Sequence, residues 1–167
     1  ISGGELYTAM QTGVIDALEW VSPYNDIAFG FHQVAKYYYY PGWHEPGSTL
    51  ETIFNKERFE SLPVDLQEIL MAGTEIMNQL LLDELTARNN EALRVLVEEH
   101  GVQLRKLPND VLAELHRISN EVVGELALVD ESTSRVYESW RNFRDNVLNY
   151  NRIAEEAFIE ARNLPIN

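Results

Sequence analysis

Gly13-Val14-Ile15-Asp16-Ala17-Leu18-Glu19-Trp20 is the stretch on which the reading of this chain turns. It opens on a glycine, runs through a short apolar segment and ends in an acid beside a large aromatic. Upstream, residues 4–12 read as a short helix with Leu6, Ala9 and Met10 on one side. Gly13 then stands where a helix C′ residue takes positive φ without a Cβ clash. Val14 to Leu18 read as a short buried strand in which Asp16 is the exception. An acid in a buried strand is costly unless it is paired. Glu19-Trp20 follows the end of that strand.

Downstream, Ser22-Pro23-Tyr24-Asn25-Asp26 is turn chemistry, and residues 27–35 read as a short helix carrying Ile27, Phe29 and Phe31. Lys36 to Tyr40 is an aromatic run of high strand propensity, stopped by Pro41-Gly42. Trp43-His44-Glu45-Pro46-Gly47 is a polar loop, and Thr49 to Phe54 alternates as a further strand, with Leu50, Thr52 and Phe54 on one face. Two helix starts then repeat a pattern, Leu62-Pro63-Val64-Asp65 and Leu107-Pro108-Asn109-Asp110. Each places proline at the first helical position and an acid in the first turn, where the helix dipole favours it. The first of these helices is expected from Pro63 to His100, roughly 55 Å of rod, and Gly101 ends it. Val102 to Leu107 read as a brief strand, and a second helix runs from Pro108 to about Val129.

The last helix starts near Glu131-Ser132. Its apolar positions Val136, Trp140, Phe143, Val147, Tyr150, Ala154, Ala157 and Ala161 alternate in spacing between four and three, which is a heptad seam. Packing of that face within its own domain is the plainer explanation, and a helix-exchange or coiled-coil dimer contact is the sharper one. The succession of elements predicts an α/β layer fold that is helix-rich at its C-terminal end. Residues 1–107 are expected to form an α/β segment that includes the start of the long helix at 63–100 and carries any ligand site, and residues 108–167 are expected to form C-terminal helices used for packing or dimerisation.

The 167 residues suit one domain or part of one, and 45% are apolar, enough to supply a core. A net charge of −14 argues against nucleic acid and against an anionic membrane surface. There is no cysteine, which excludes disulfides, zinc-thiolate sites and cysteine nucleophiles and suits an extracytoplasmic setting. No apolar run approaches the roughly 20 residues that span a bilayer. The chain starts at Ile1 rather than methionine and so reads as a fragment or a processed product.

GxSxG, GxxxxGK[ST], GxGxxG, HExxH and Glu-x-x-His are all absent. The four histidines, His32, His44, His100 and His116, are scattered, and His100 and His116 read as structural or solvated. What remains is two acid–aromatic loops after strands, Glu19-Trp20 and Trp43-His44-Glu45. Ligands in open α/β sheets sit beyond strand C-termini. Carboxylate and carbonyl oxygens suit a hard cation, and aromatic walls suit a small organic solute. On the residues alone, a packed Trp20 beside a solvated Glu19 is still the preferred explanation.

The run Gly4-Glu5-Leu6-Tyr7-Thr8-Ala9-Met10-Gln11-Thr12-Gly13-Val14-Ile15-Asp16-Ala17 resembles the signature of the periplasmic solute-binding proteins of tripartite ATP-independent (TRAP) transporters. Glu19 to Asp26, Lys36 to Tyr40 and Pro41-Gly42-Trp43-His44-Glu45 resemble its 2-oxo acid/lactate or mannitol/chloroaromatic subfamily. The resemblance extends over essentially the whole chain but covers only the C-terminal half of such a receptor. It implies the C-terminal part of a two-lobed periplasmic-binding-protein fold, with no enzymatic activity. It implies binding of a small carboxylate, a 2-oxo or 2-hydroxy acid, bridged by a sodium or calcium ion. Glu19 and Glu45 match acids that ligate the cation, and Trp20 matches a residue that gives it a backbone carbonyl and the pocket a ring. His44 stands where members vary and is expected to tune substrate choice, while Tyr24, Asn25 and Trp43 are expected to line the cleft. The arginine that pairs with the substrate carboxylate belongs to the other half of the family's fold; the first arginine here is Arg58. The implied partners are the transporter's membrane subunits and a second copy of the chain, held through the C-terminal helix. Two competing readings are a helical dimerisation module without ligand binding and a carboxylate-metal hydrolase using Glu19 and Glu45. The lack of a histidine-rich ligand set counts against the hydrolase.

Overall fold

The computed structural model describes residues 1–43, 45, 47 and 50–165. The chain divides into two compact units, residues 1–107 and residues 108–167.

In the first unit a 3-10 turn, Gly3–Glu5, leads into helix α1, Leu6–Gln11. Gly13 has φ +72°, as expected from its place after the helix. Its N–H donates to the Met10 carbonyl at 3.3 Å and the Val14 N–H to the Ala9 carbonyl at 2.9 Å. These are the two bonds of a Schellman ending, which satisfy carbonyls that a helix C-terminus leaves open. The strand expected over residues 14–18 does not form, and Val14 is 72% exposed. A strand exists by pairing, and the two strands of the described sheet pair with each other instead.

Ser22-Pro23-Tyr24-Asn25-Asp26 is not a turn. It begins helix α2, Pro23–Phe29, with Ser22 extended at the N-cap and Pro23 in the first turn. Ser, Pro, Asn and Asp serve turns and helix starts alike, so local chemistry does not separate the two. The helix expected over 27–35 is accordingly split at Gly30, and Phe31–Gln33 is a 3-10 turn. Strand β1, Tyr37–Tyr40, pairs in parallel with β2, Gln103–Lys106, in the register Tyr37↔Gln103 to Tyr40↔Lys106.

The strand expected from Thr49 to Phe54 is absent over residues 50–54, with Ile53 84% exposed; Thr49 lies outside the described residues. The chain instead forms α3, Lys56–Glu60, capped by the Asn55 side chain, which accepts from the Arg58 N–H at 3.0 Å. The long helix α4, Val64–Glu98, is present with its ends drawn in slightly from 63 and 100, and Pro63 is its N-cap. Its last third supplies the core: Ala92 and Leu96 are buried with Ala9, Phe31 and Val102, and Leu96 is only 1% exposed. There α2 packs on α4. The first two thirds of α4 leave Ile69, Ile76, Met77, Leu80 and Leu82 in solvent.

The second unit holds α5, Asn109–Leu126, α6, Glu131–Ile153, and α7, Glu155–Arg162. The Asp130 side chain caps α6 by accepting from the Thr133 N–H at 2.7 Å. The last helix was expected to be continuous. It breaks at Ala154, where φ −106° and ψ −93° leave the helical region, so Ala157 and Ala161 of the heptad seam fall on α7. Neither glycine nor proline marks that break. Among the described residues no helix is long and apolar enough to cross a membrane.

Candidate functional site

The first arm of the site lies between α1 and α2. The Trp20 ring sits 4.8 Å from Phe29 and 5.9 Å from Phe31, and those two phenylalanines stack on each other at 5.8 Å. Tilted and edge contacts of this kind add about 0.5–1.5 kcal/mol each beyond the area they bury. Gly3 also lies against the indole: a Cβ there would stand 2.8 Å from Trp20 Cη2, so a side chain at that position would force the ring to shift. Trp20 is therefore packed, as the residues alone indicated. Its Nε1 is buried with no hydrogen-bond partner among the described residues.

Glu19 is exposed, but its charge acts on two groups beneath it. Asp26, on α2, is 7% exposed, and Tyr38, on β1, donates its hydroxyl to Asp26 Oδ2 at 2.5 Å. Burial pushes the Asp26 carboxyl above its ordinary range; the Tyr38 bond opposes that, and the negative charge of Glu19 adds to it. Burial is also the largest cause holding the Tyr38 phenol protonated, followed by its bond to Asp26 and the charges of Asp26 and Glu19. Asp26 Oδ1 is buried with no partner among the described residues.

Tyr24 and Asn25 are engaged at the start of α2. The Tyr24 N–H donates to Asn89 Oδ1 of α4 at 3.1 Å, and the Arg88 guanidinium lies 5.3 Å from the Tyr24 ring centre. Ser22 Oγ donates to Asn25 Oδ1 at 2.9 Å. On the second arm, after β1, Trp43 is 44% exposed and Glu45 is exposed. His44 lies outside the described residues. Among the described residues no group of three or more His, Cys, Asp or Glu side chains is spaced to hold a metal ion.

The structure thus gathers Glu19, Asp26 and Tyr38 into one electrostatic neighbourhood beside a Trp20–Phe29–Phe31 platform. Sequence reasoning missed Asp26, Tyr38 and the platform. The available signal was an acid one turn into a helix, next to Ile27. Once Pro23 is taken as a helix start, Asp26 falls where burial demands a donor, and strand alternation offers Tyr38.

The sequence pattern of bacterial extracellular solute-binding proteins, family 7, matches residues 1–128. The chain belongs to this family. Family 7 comprises receptors, not enzymes. Over 158 residues the chain is 37% identical to the monocarboxylate 2-oxoacid-binding periplasmic protein of Nostoc sp., covering 95% of this chain and 43% of the relative. Among solved structures, the chain is similar to a TRAP transporter solute-binding protein from Bordetella bronchiseptica. Its crystal structure is described as a mixed-occupancy dimer, with copurified calcium and picolinate in one active site and an apo site in the other. It superposes with a TM-score of 0.90 at 31% identity, over 97% of this chain and 48% of that one. The expected fold, the C-terminal part of a two-lobed receptor, is therefore correct. The chain spans about half the length of the relatives it matches.

Proposed function

We propose that this chain supplies one lobe of a periplasmic receptor that captures a small carboxylate, a 2-oxo or 2-hydroxy acid, for a tripartite ATP-independent transporter. The observation that carries the reading is the exposed carboxylate of Glu19, next in the chain to the packed Trp20 and within electrostatic reach of the buried Asp26–Tyr38 bond. The negative charge of Glu19 adds to the cost of ionising the buried Asp26, and a cation between protein and anionic solute would relieve that crowding of like charge. Oxygen donors suit calcium, and the Bordetella relative carries calcium with a carboxylate ligand; these favour calcium over sodium as the bridging ion. Glu19 and Glu45 give carboxylates and Trp20 its backbone carbonyl. The Trp20 ring, Tyr24, Asn25, Trp43 and His44 line the solute's side. An arginine from the part of the fold that this chain does not span neutralises the carboxylate, and closure presents the receptor to the membrane subunits. A homodimer through α6 is part of this proposal; exposed Val136, Phe143 and Tyr150 support it.

The test is calorimetric titration of the full-length gene product with a 2-oxo acid, with and without calcium. Glu19→Gln is expected to weaken calcium-dependent binding by about tenfold or more. Unchanged binding overturns the role assigned to Glu19.

A further inference from the structure

Two binding arms hang from two different elements of the first unit. Val21 and Ser22 alone separate Trp20 from α2, and Pro41 and Gly42 alone separate β1 from Trp43. The chief packing partner of α2 is α4, whereas β1 is paired with β2. Among the described residues one side-chain hydrogen bond joins β1 directly to α2, that donated by the Tyr38 hydroxyl to Asp26 Oδ2.

We infer that Asp26 and Tyr38 are positioning residues, forming a buried tie that sets the spacing between the Glu19–Trp20 arm and the Trp43–Glu45 arm. The inference rests on the reading of Glu19 and Glu45 as cation ligands given above. Three observations converge on it. The bond is short, and an O–H donor on a carboxylate is directional and about twice as strong as a neutral pair. It therefore sets a separation that apolar contact leaves loose. Asp26 is nine-tenths buried in a place where a neutral residue would cost less, and only half of its acceptor capacity is used. A buried acid held at such a cost does something that an apolar filler of the same volume does not. Finally, the tie lies within the field of Glu19, so it is built into the same neighbourhood as the ligand it would hold in place. Groups that orient cation ligands without touching the cation are a general requirement of such sites.

The experiment is calcium titration of the full-length gene product, with Glu19→Gln run alongside and the calcium-free melting temperature recorded for every variant. Tyr38→Phe and Asp26→Ala are expected to weaken calcium binding by about tenfold or more. Asp26→Asn keeps an oxygen that accepts from Tyr38 and is expected to bind calcium like the wild type. A folded Tyr38→Phe variant with wild-type calcium affinity overturns the tie. So does an Asp26→Asn variant as weak as Asp26→Ala, because the effect would then belong to charge. If Asp26→Ala does not fold, Tyr38→Phe decides, since it lacks one oxygen only. Loss of binding in Glu19→Gln with Tyr38→Phe intact removes the tie and leaves the cation reading standing. Retention in Glu19→Gln removes the cation reading, and the tie with it.

Discussion

His32 stacks on His100, the ring centres 3.9 Å apart and the planes 25° from parallel. His32 follows Phe31, which packs against Trp20, and His100 follows Glu99, the C-cap of α4, so the pair joins the aromatic platform to the end of the core helix. Burial, and then the charge of His100, holds the His32 imidazole below its usual pKa. Its Nδ1 is buried without a partner among the described residues. The sign of the pH dependence follows from linkage. A folded-state pKa below the unfolded one leaves stability intact above the unfolded value of about 6.5 and removes it as pH falls through the folded value. Urea unfolding is expected to show lower stability at about pH 5.5 than at about pH 7.5, and His32→Gln should reduce that difference. An equal slope in wild type and His32→Gln would show that another group is responsible.

At the scale of elements, α4 is two helices in one. Its last third is core and its middle is solvent-facing, although both are equally apolar in sequence. Leu96→Ala is expected to cost about 2–5 kcal/mol in chemical unfolding, because a cavity opens where the side chain is fully enclosed. Ile76→Ala, at 59% exposure, should stay within about 0.5 kcal/mol. Equal costs would mean that the middle of α4 is covered. This contrast also marks where the sequence was legible. Gly13, the four-tyrosine strand, the long helix and β2 were legible because each rests on a local rule: positive φ, β propensity, periodicity and its termination. Residues 14–18 were misread because strand formation depends on partners, which a short apolar run does not reveal. The 50–54 segment failed for the same reason. Pro23 was misread because turns and helix N-termini share their residues, and this hid Asp26 one turn further on. Glu19 and Trp20 stood out as chemistry, but the groups beneath them, Asp26, Tyr38, Phe29 and Phe31, come together only through the packing of α2 and the placing of β1. The break at Ala154 has no local marker at all.

At the scale of the whole molecule, the chain spans about half of its relatives, and its apolar surface is correspondingly open. Patches of this kind are rare on self-sufficient monomers. The seam on α6 is the most regular of them, with Phe143 69% and Tyr150 66% exposed. Phe143→Asp is expected to shift sedimentation from dimer toward monomer while leaving the calcium affinity of each subunit unchanged. An unaltered sedimentation profile would remove α6 from the assembly. The parallel pairing of β1 with β2 carries a different consequence, one of timing. Tyr37 meets Gln103 across 66 residues of chain. At about 5–20 residues per second, its partner leaves the ribosome roughly 3–13 s later. For that interval four consecutive tyrosines form an unpaired strand with strong pairing tendency, while α4 is free to grow from local contacts. The nascent chain's most exposed hazard is therefore Tyr37 to Tyr40, the strand that in the finished fold anchors one end of the Asp26 bond.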